Sequence, residues 1–403
     1  MFSVVYLGLP GFPFGTAPIQ KMRLVARSLS CTGVHVTILC SRASHSHKRV
    51  PWLRTHGRFE GVEYIYTSGY PYRNPNFLIR NWHKIIGELN KIRILWLLSR
   101  RHRLDAAIVV TQSFGELLSY YVLSRFLAIK LIFDHAELCS GIPSRNRWYQ
   151  KLNDILLDHF MVALVDGIIP ISHFLEDRVR QIDPGKAVMR MPVLVDMDRF
   201  TPQQTTGKKS YFLFCGALEY SEVIDFILSA FDMLNLSDAG FSLYLVVNGN
   251  RQQFKALDGS VSRRRNKNLI RIFQGLTDSE LARIYAGAAA LLIPLRPTLQ
   301  DLARFPHKIG EYLATGNPVI TTCFGEVAKY LKDGENAIIA HRYDIEEYAS
   351  RMQWVFEHPD IAEAIGRRGQ MVASMKFDYR IYSEPLRRFL DGVLSNERTS
   401  SMN

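Results

Sequence analysis

Short runs of apolar and β-branched residues alternate with stretches of helical periodicity through the first half of the chain. An apolar run at residues 2–9 is followed by a helical pattern at 19–33 and a second apolar run at 34–41. Strand, helix and strand in this order predict a parallel sheet. Further strands of the same sheet are predicted at residues 62–68, 106–112, 130–136 and 166–172.

The polar stretch at residues 201–210, TPQQTTGKKS, predicts a linker between two domains. A second series of strands is predicted after it, at residues 211–217, 242–249, 269–275, 289–295, 317–322 and 337–340. The chain is therefore predicted to be α/β, with two doubly wound parallel-sheet domains at 1–200 and 211–375 and ligands bound in an interdomain cleft. Residues 376–403 are expected to form a helix that packs back on the first domain, followed by a disordered tail.

The segment at residues 304–322, RFPHKIGEYLATGNPVITT, predicts a helix with sharp ends before a buried strand. Pro306 suits the first helical position, and Gly316 with Pro318 ends the helix after about three turns. Arg304, Lys308, Glu311 and Thr315 share one face of this helix. Two interpretations fit that polar face: a diphosphate and ribose site, or a solvated face with an i,i+3 Lys308–Glu311 pair.

The composition bounds the class of protein. At 403 residues and 47% hydrophobic content the chain can bury large cores. Its apolar stretches are shorter than the roughly 20 residues of a membrane-spanning helix, and its start predicts a strand rather than a signal peptide, so we expect a cytoplasmic protein. The five widely spaced cysteines predict neither disulfides nor a zinc site.

The formal charge of +12 is concentrated in the first half of the chain, notably between Arg80 and Arg103. Apolar residues recur there at roughly helical spacing: Trp82, Ile85, Ile86, Leu89, Ile92 and Trp96. The pattern fits a core-facing helix with a basic outer face, and it also fits a basic amphipathic helix on an anionic membrane surface, at the inner face of the cell membrane. Nucleic acid is not predicted as a partner, because no nucleic-acid-binding motif accompanies the charge.

The glycine-rich turn after the first strand contains Gly8, Gly11 and Gly15. Its spacing differs from the dinucleotide-binding fingerprint, and the second strand is not followed by a carboxylate for a ribose. The sequence also lacks a GxxxxGK[ST] phosphate loop. A nicotinamide dehydrogenase and an NTP hydrolase are therefore not predicted.

Taken together, these segments resemble the retaining family 4 glycosyltransferases of GT-B architecture, over nearly the whole chain. Similar segments include PGFPFGTAP at 10–18, FDHAE at 133–137, MPVLVDMDRFTP at 191–202 and, most closely, RFPHKIGEYLATGNPVIT at 304–321 with GEVAKYLKDGENAIIA at 325–340. The resemblance implies two facing Rossmann-like domains and a cytoplasmic enzyme that transfers a sugar, with retention of anomeric configuration. The implied donor is a UDP- or GDP-linked sugar, and the implied acceptor is a lipid-linked or polysaccharide molecule. No cofactor is implied.

The resemblance also implies roles for individual residues. His135 and Glu137 correspond to the loop near the reacting sugar and are the candidate catalytic residues. Glu311 corresponds to the carboxylate that binds the ribose. The remaining candidate donor-binding residues are Gly15, Gly216, Asn248, Gly249, Leu276, Asp301, Arg304, Phe305, Pro306, His307, Lys308 and Glu326.

The sequence departs from the family's pattern in two places. A first glutamate, eight residues before Glu311, is replaced by Ala303, and the proposed substitute is either Asp301 or backbone groups around residues 304–307. The Arg and Lys that follow the first strand of the second domain are also absent, because Ala217 and Glu222 stand there. Diphosphate binding is then expected to depend on Arg304, Lys308 and the helix start.

Asp196 and Asp198 form a DxD pair, but two carboxylates alone make a poor metal site, and the GT-B resemblance implies no metal. Alternative functions are a nucleotide-sugar epimerase or hydrolase of the same fold, and a non-catalytic basic scaffold at membranes.

Overall fold

The computed structural model describes residues 2–15, 17–44, 52–100, 104–200, 209–235 and 241–395 of the chain. The residues form two compact units. The first unit runs to Leu194 and includes the residues from Tyr379 onward, and the second unit is Val195–Asp378. The sequence-based boundary at residue 200 therefore lies inside the second unit. Residues 201–208 of the predicted linker lie outside the described residues.

The first unit is built on an eight-stranded sheet with the order β3-β4-β2-β1-β5-β6-β7-β8. Its elements up to Leu194 are β1 (Ser3–Leu7), α1 (Ala17–Ser30), β2 (His35–Cys40), β3 (His56–Phe59), β4 (Val62–Tyr66), α2 (Phe77–Arg100), β5 (Ala106–Val109), α3 (Phe114–Leu127), β6 (Lys130–His135), α4 (Trp148–Leu164), β7 (Gly167–Pro170), α5 (His173–Ile182) and β8 (Ala187–Val188). All neighbouring strands are parallel except β3, which is antiparallel to β4.

The second unit is built on a six-stranded parallel sheet with the order β11-β10-β9-β12-β13-β14. Its elements are β9 (Tyr211–Ala217), α6 (Ser221–Asp232), β10 (Ser242–Asn248), α7 (Arg251–Ser262), β11 (Ile270–Phe273), α8 (Asp278–Ala286), β12 (Ala290–Ile293), α9 (Leu299–Ala303), α10 (Lys308–Ala314), β13 (Val319–Thr322), α11 (Val327–Tyr330), β14 (Ile338–Ala340), α12 (Ile345–Glu357) and α13 (Pro359–Lys376).

Apart from the edge strand β3, both sheets are parallel and covered by helices, so their central strands are apolar on both faces. Val5 of β1 lies beside Thr37 of β2 and Ala107 of β5. Leu213 of β9 lies beside Tyr244 of β10 and Leu291 of β12. The two doubly wound α/β sheets predicted from the alternation of strands and helices are confirmed.

The C-terminal helix α14 (Ser383–Ser395) belongs to the first unit. Leu386, Leu390 and Val393 are buried in the same apolar core as α1 and β1. Ser28 of α1 also donates a hydrogen bond to the carbonyl oxygen of Tyr379, just before α14. The predicted disordered tail, from residue 396, lies outside the described residues.

Two strands were not predicted, and both have physical reasons. β3 is a short edge strand of sequence HGRF, which lacks an apolar run because both of its faces are partly solvated. β8 is only two residues long. None of the described helices combines the length and the apolar character that spanning a bilayer requires.

Candidate functional site

In each sheet the order of the strands reverses direction beside the first strand of the unit. The reversal lies between β1 and β5 in the first unit and between β9 and β12 in the second. Ligands of open α/β sheets bind outside the carboxyl ends of the strands at such a point. Each unit therefore has a candidate site at that edge of its sheet.

In the second unit, α10 begins two residues later than predicted. Pro306 lies in a tight turn before the helix, because its carbonyl oxygen accepts a hydrogen bond from the N–H of Ile309 at 3.0 Å. The helix ends at Ala314, and Gly316, just beyond the C-cap residue Thr315, has a φ of +76°, the left-handed conformation expected of a terminating glycine. With only seven helical residues, α10 has few aligned peptide dipoles, so charge at this edge comes mainly from side chains.

Glu311 is buried, with 5% of its surface exposed. Its carboxylate lies 2.7 Å from the Lys308 amine and 3.8 Å from the Nε2 atom of His307, and it accepts a 3.5 Å hydrogen bond from the Tyr285 hydroxyl. Burial acts to raise the pKa of Glu311, but the charges of Lys308 and His307 hold this pKa below its usual value. A solvated face with an exposed Lys–Glu pair is therefore the wrong interpretation of this helix.

Lys308 is the most accessible member of this cluster, with about a quarter of its side chain (26%) exposed. Burial opposes the charge of its amine, yet the neighbouring Cys215 and Glu311 raise the pKa of Lys308 above its ordinary value. Lys308 is therefore a cation at neutral pH. It can contact an anionic ligand while it keeps its ion pair with Glu311.

Asp301 has a different position from the one proposed in the sequence analysis. It is fully buried, at 0% exposure, so it cannot contact a sugar as a substitute for the missing first glutamate. One oxygen accepts a 3.1 Å hydrogen bond from Nε of Arg296, and the other lies 2.7 Å from Nη2 of Arg304. Asp301 is instead a positioning residue that fixes two guanidinium groups.

Arg296, which the sequence analysis missed, follows β12 at the point where the strand order reverses. Its Nη2 atom donates to Gln300 at 3.1 Å, and its Nη1 atom donates to Glu222 at 3.2 Å. Arg304 donates from Nη1 to the Tyr220 hydroxyl at 2.6 Å. Its position could have identified Arg296, because it is a basic residue just after the carboxyl end of β12, a strand next to β9.

The other predicted donor-binding residues of the second unit lie mostly at the carboxyl ends of its strands. Gly216 is the second-last residue of β9, Asn248 ends β10 and Gly249 follows it, and Leu276 lies shortly after β11. Glu326 is buried just before α11. Phe305 is a core residue instead, because it is 2% exposed and its ring lies 5.4 Å from that of Tyr330 and 5.5 Å from that of Phe377.

In the first unit, the strand order reverses beside the predicted glycine turn. The residues of this turn with positive φ are Gly8, at +104°, and Gly11, at +88°, whereas Gly15 is not among them. A Cβ atom on Gly8 would lie 1.8 Å from the carbonyl oxygen of Val110, so the turn after β1 approaches the end of β5 closely.

His135 ends β6 and is 4% exposed. Its Nδ1 atom has no hydrogen-bond partner among the described residues. Burial, followed by the charges of Lys21 and Arg178, lowers the pKa of His135 from 6.5 to about 3. The imidazole is therefore neutral at physiological pH, and its buried Nδ1 atom has a hydrogen-bonding capacity that the described residues leave unused.

Glu137 lies on the same loop and is held by a residue that the sequence analysis missed. Gln112, which follows β5, donates from Nε2 to the Glu137 carboxylate at 2.9 Å. Beneath this loop, the buried Asp134 forms an ion pair with Lys21 and accepts a hydrogen bond from the Tyr6 hydroxyl. The ends of β5 and β6 thus form one polar surface, and it belongs to the unit that does not contain Glu311.

Asp196 and Asp198 belong to the second unit, where Asp196 is 5% exposed and accepts a 3.3 Å hydrogen bond from the N–H of Asp198. Among the residues that the structure describes, no group of three or more His, Cys, Asp and Glu side chains is arranged to hold a metal ion.

Residues 197–372 match the family model described as "Glycosyl transferases group 1". This range lies within the second unit, which is therefore the part of the chain that is similar to group 1 glycosyltransferases. A comparison with curated protein sequences finds no match.

Several solved structures are similar to nearly the whole chain. Sucrose-phosphate synthase from Thermosynechococcus elongatus has a TM-score of 0.78 at 14% identity, over 98% of this chain and 100% of the other. HepE from Anabaena, solved with UDP and glucose, has a TM-score of 0.69 at 14% identity, over 97% and 100%. WaaG, a glycosyltransferase of lipopolysaccharide biosynthesis, has a TM-score of 0.66 at 15% identity, over 97% and 100%. At these identities the likeness establishes the fold, which is GT-B with two Rossmann-like domains.

The low pKa of His135 predicts an acid-sensitive contribution to stability. Between about 3 and 6.5 the unfolded chain protonates this imidazole while the folded chain does not, so folding stability falls as the pH is lowered through this range. We expect the stability difference between wild type and His135→Asn to change by up to about 1.4 kcal/mol per pH unit below pH 6.5. Denaturant unfolding at pH 7.5, 6.5 and 5.5 measures this difference.

The matched control is the exposed His341→Asn, which should leave the slope of stability against pH as in wild type. An equal slope in wild type and His135→Asn would show that His135 takes up its proton in the folded state.

Proposed function

We propose that this chain is a cytoplasmic glycosyltransferase of the family 4 type that transfers a hexose from a UDP- or GDP-linked donor to a lipid-linked or polysaccharide acceptor. The proposed reaction retains the anomeric configuration. The observation that carries the proposal is the buried, ionised Glu311 with its Lys308 partner, at the carboxyl edge of the sheet in the unit that is similar to group 1 glycosyltransferases.

Donor binding is assigned to the second unit. A buried carboxylate can accept two hydrogen bonds from the hydroxyls of a ribose, and Glu311 is the candidate for this role. Lys308 and Arg304 supply positive charge for the diphosphate. Cleavage of the anomeric C–O bond passes through an oxocarbenium-like state and leaves a nucleoside diphosphate, so these cations stabilise the leaving group.

Sugar positioning is assigned to the first unit. Because His135 is neutral, it serves as a hydrogen-bonding group for a sugar hydroxyl rather than as an acid at neutral pH. Glu137, fixed by Gln112, is the candidate that orients the acceptor hydroxyl.

The solved structures support the choice of donor and acceptor class. HepE is solved with UDP and glucose, and also with UDP-glucose, which favours testing UDP first. WaaG acts in lipopolysaccharide biosynthesis, which favours a lipid-linked acceptor. An epimerase or hydrolase of the same fold would instead convert UDP-glucose without an acceptor, and a scaffold would bind no nucleotide.

The donor proposal predicts that one of UDP, GDP and ADP stabilises the chain against thermal unfolding, by about 2.7 kcal/mol at 100 times its dissociation constant. Glu311→Gln should weaken the binding of that nucleotide about 10- to 100-fold, because the charged acceptor for the ribose is lost. Isothermal titration calorimetry measures both affinities.

A matched control is available in another i,i+3 pair of the same unit. Lys332 and Glu335 lie 3.6 Å apart and are exposed, so Glu335→Gln should bind the nucleotide as wild type does. Equal affinities of wild type and Glu311→Gln would place the ribose elsewhere, and a chain stabilised by none of the three nucleotides would contradict the donor proposal.

We further propose that the first unit docks on an anionic membrane surface through α2. Six large apolar side chains face outward from this helix at spacings of four and three residues and are 41–75% exposed: Leu78, Trp82, Ile85, Leu89, Ile92 and Trp96. Such a stripe on a basic helix suits the boundary between lipid headgroups and acyl chains. Residues 101–103 of the predicted basic segment lie outside the described residues.

The apolar surface extends over the neighbouring helices, because α2 contacts α3 and α3 contacts α4. Val122 and Phe126 of α3 are 61% and 76% exposed, and Trp148 and Ile155 of α4 are 77% and 60% exposed. A surface of three helices offers a broader area for a bilayer than α2 alone.

Charge favours a bilayer with anionic lipids as the occupant. Lys84, Arg93 and Arg100 are exposed beside the apolar stripe. The carboxylate of α2, Glu88, lies 2.5 Å from the Lys91 amine and is thereby neutralised. The exposed charge of this helix is therefore positive, and each cation near an anionic surface contributes about 1 kcal/mol.

Docking predicts that the chain floats with vesicles of phosphatidylcholine and phosphatidylglycerol and much less with phosphatidylcholine alone. The double variant Trp82→Ser and Trp96→Ser should lose most of this flotation, because two large side chains no longer enter the interface. Met371→Ser with Met375→Ser, which removes exposed apolar side chains of the second unit, is the control that should float normally.

Equal flotation of both double variants would contradict docking through α2. A wild-type dimer in light scattering that becomes a monomer in Trp82→Ser with Trp96→Ser, without flotation of either form, would identify a second copy of the chain as the occupant instead.

A further inference from the structure

Two guanidinium groups converge where the strand order of the second unit reverses. Arg296 follows β12, and Arg304 follows α9. Both lie over the ring of Tyr220, which follows β9, with guanidinium carbons 5.8 Å and 4.6 Å from the ring centroid. Arg296 and Arg304 therefore place positive charge beside the loop after β9, and that loop contains no cationic residue itself.

Apart from the exposed Glu222, the charge of this cluster is positive on balance. Asp301 is the carboxylate that both guanidinium groups share, and it is fully buried. Two cations on one buried carboxylate leave one positive charge uncompensated. The Nε atom of Arg304 is also buried without a hydrogen-bond partner among the described residues.

The second carboxylate beside Arg296 differs from Asp301 because it is exposed to solvent. Glu222, in the first turn of α6, lies 3.2 Å from Nη1 of Arg296 and has a side chain that is 79% exposed. Although the Arg296 side chain is only 10% exposed, water already solvates the Glu222 carboxylate, so this side chain can rotate into solvent at small cost. The Glu222 contact is therefore replaceable, whereas the Asp301 contacts are not.

We propose that Arg296 is the phosphate-binding cation that the loop after β9 lacks, and that Glu222 competes with the donor's diphosphate for it. This inference rests on the proposed function and specifies its diphosphate site. A planar guanidinium fixed by Asp301 can bind phosphate oxygens with its remaining donors. Glu222 must leave when the diphosphate arrives, because two anions on one Nη1 atom repel each other.

Competition by Glu222 has a direct test in nucleotide affinity. Glu222→Gln should bind UDP, or whichever of UDP, GDP and ADP stabilises wild type, about 3- to 10-fold more tightly, because one competing charge is removed. The affinity for the corresponding nucleoside, which has no diphosphate, should not change. Isothermal titration calorimetry of both ligands measures the two effects.

Two further variants complete the test. Glu219→Gln removes an exposed carboxylate from the same loop and should leave both affinities unchanged, since no contact joins Glu219 to Arg296. Arg296→Lys keeps the charge but loses the fork geometry, so it should weaken nucleotide binding without affecting the nucleoside. Circular dichroism checks that this buried substitution leaves the chain folded.

The outcomes separate this inference from the proposed function. If wild type binds a nucleoside diphosphate but Glu222→Gln binds it no more tightly, the competition is wrong and the donor proposal stands. If Glu219→Gln tightens binding as much as Glu222→Gln does, the tighter binding comes from the change in net charge. Competition through the Glu222–Arg296 contact is then wrong. If wild type binds none of the three nucleotides, both proposals fail.

Discussion

The candidate donor site depends on the cost of burying a carboxylate. Asp301 and Glu311 are 0% and 5% exposed, and an unpaired charge in such a position would cost several kcal/mol. Each therefore has cations within hydrogen-bonding distance: Arg296 and Arg304 for Asp301, and Lys308 for Glu311. The fold consequently fixes three cations at one edge of the sheet before any ligand is present, which is the preorganisation that binding of an anion requires.

The first unit also pairs a buried carboxylate with a cation, but the candidate binding residue beside that pair is neutral. Asp134 is buried and satisfied by Lys21 and Tyr6, and the positive charge of Lys21 then helps to keep the adjacent His135 neutral. The first unit thus offers a neutral hydrogen-bonding group where the second offers charge. That difference matches the proposed division between binding the sugar and binding the diphosphate.

The sequence pattern was sufficient to predict an interaction when the two interacting residues are close in sequence. Lys308 and Glu311 were predicted from their i,i+3 spacing, and the strands were predicted where apolar runs are long enough. Arg296 and Gln112 were missed because their partners Glu222 and Glu137 are distant in sequence and come from segments that follow neighbouring strands. The role of Asp301 was wrong because its burial results from tertiary packing, which spacing along the chain does not reveal.

The orientation of α2 shows why periodicity alone left two interpretations open. Its buried residues are Gly87, Lys91 and Leu95. A Cβ atom on Gly87 would lie 2.0 Å from the carbonyl oxygen of Ser41, so the helix approaches the sheet through its smallest residue. The apolar stripe through Trp82 therefore faces outward, and a large exposed stripe is unfavourable in water at roughly 25 cal/mol per Å². An outward-facing apolar stripe fits a partner that covers this face of α2. The basic residues beside the stripe favour an anionic partner.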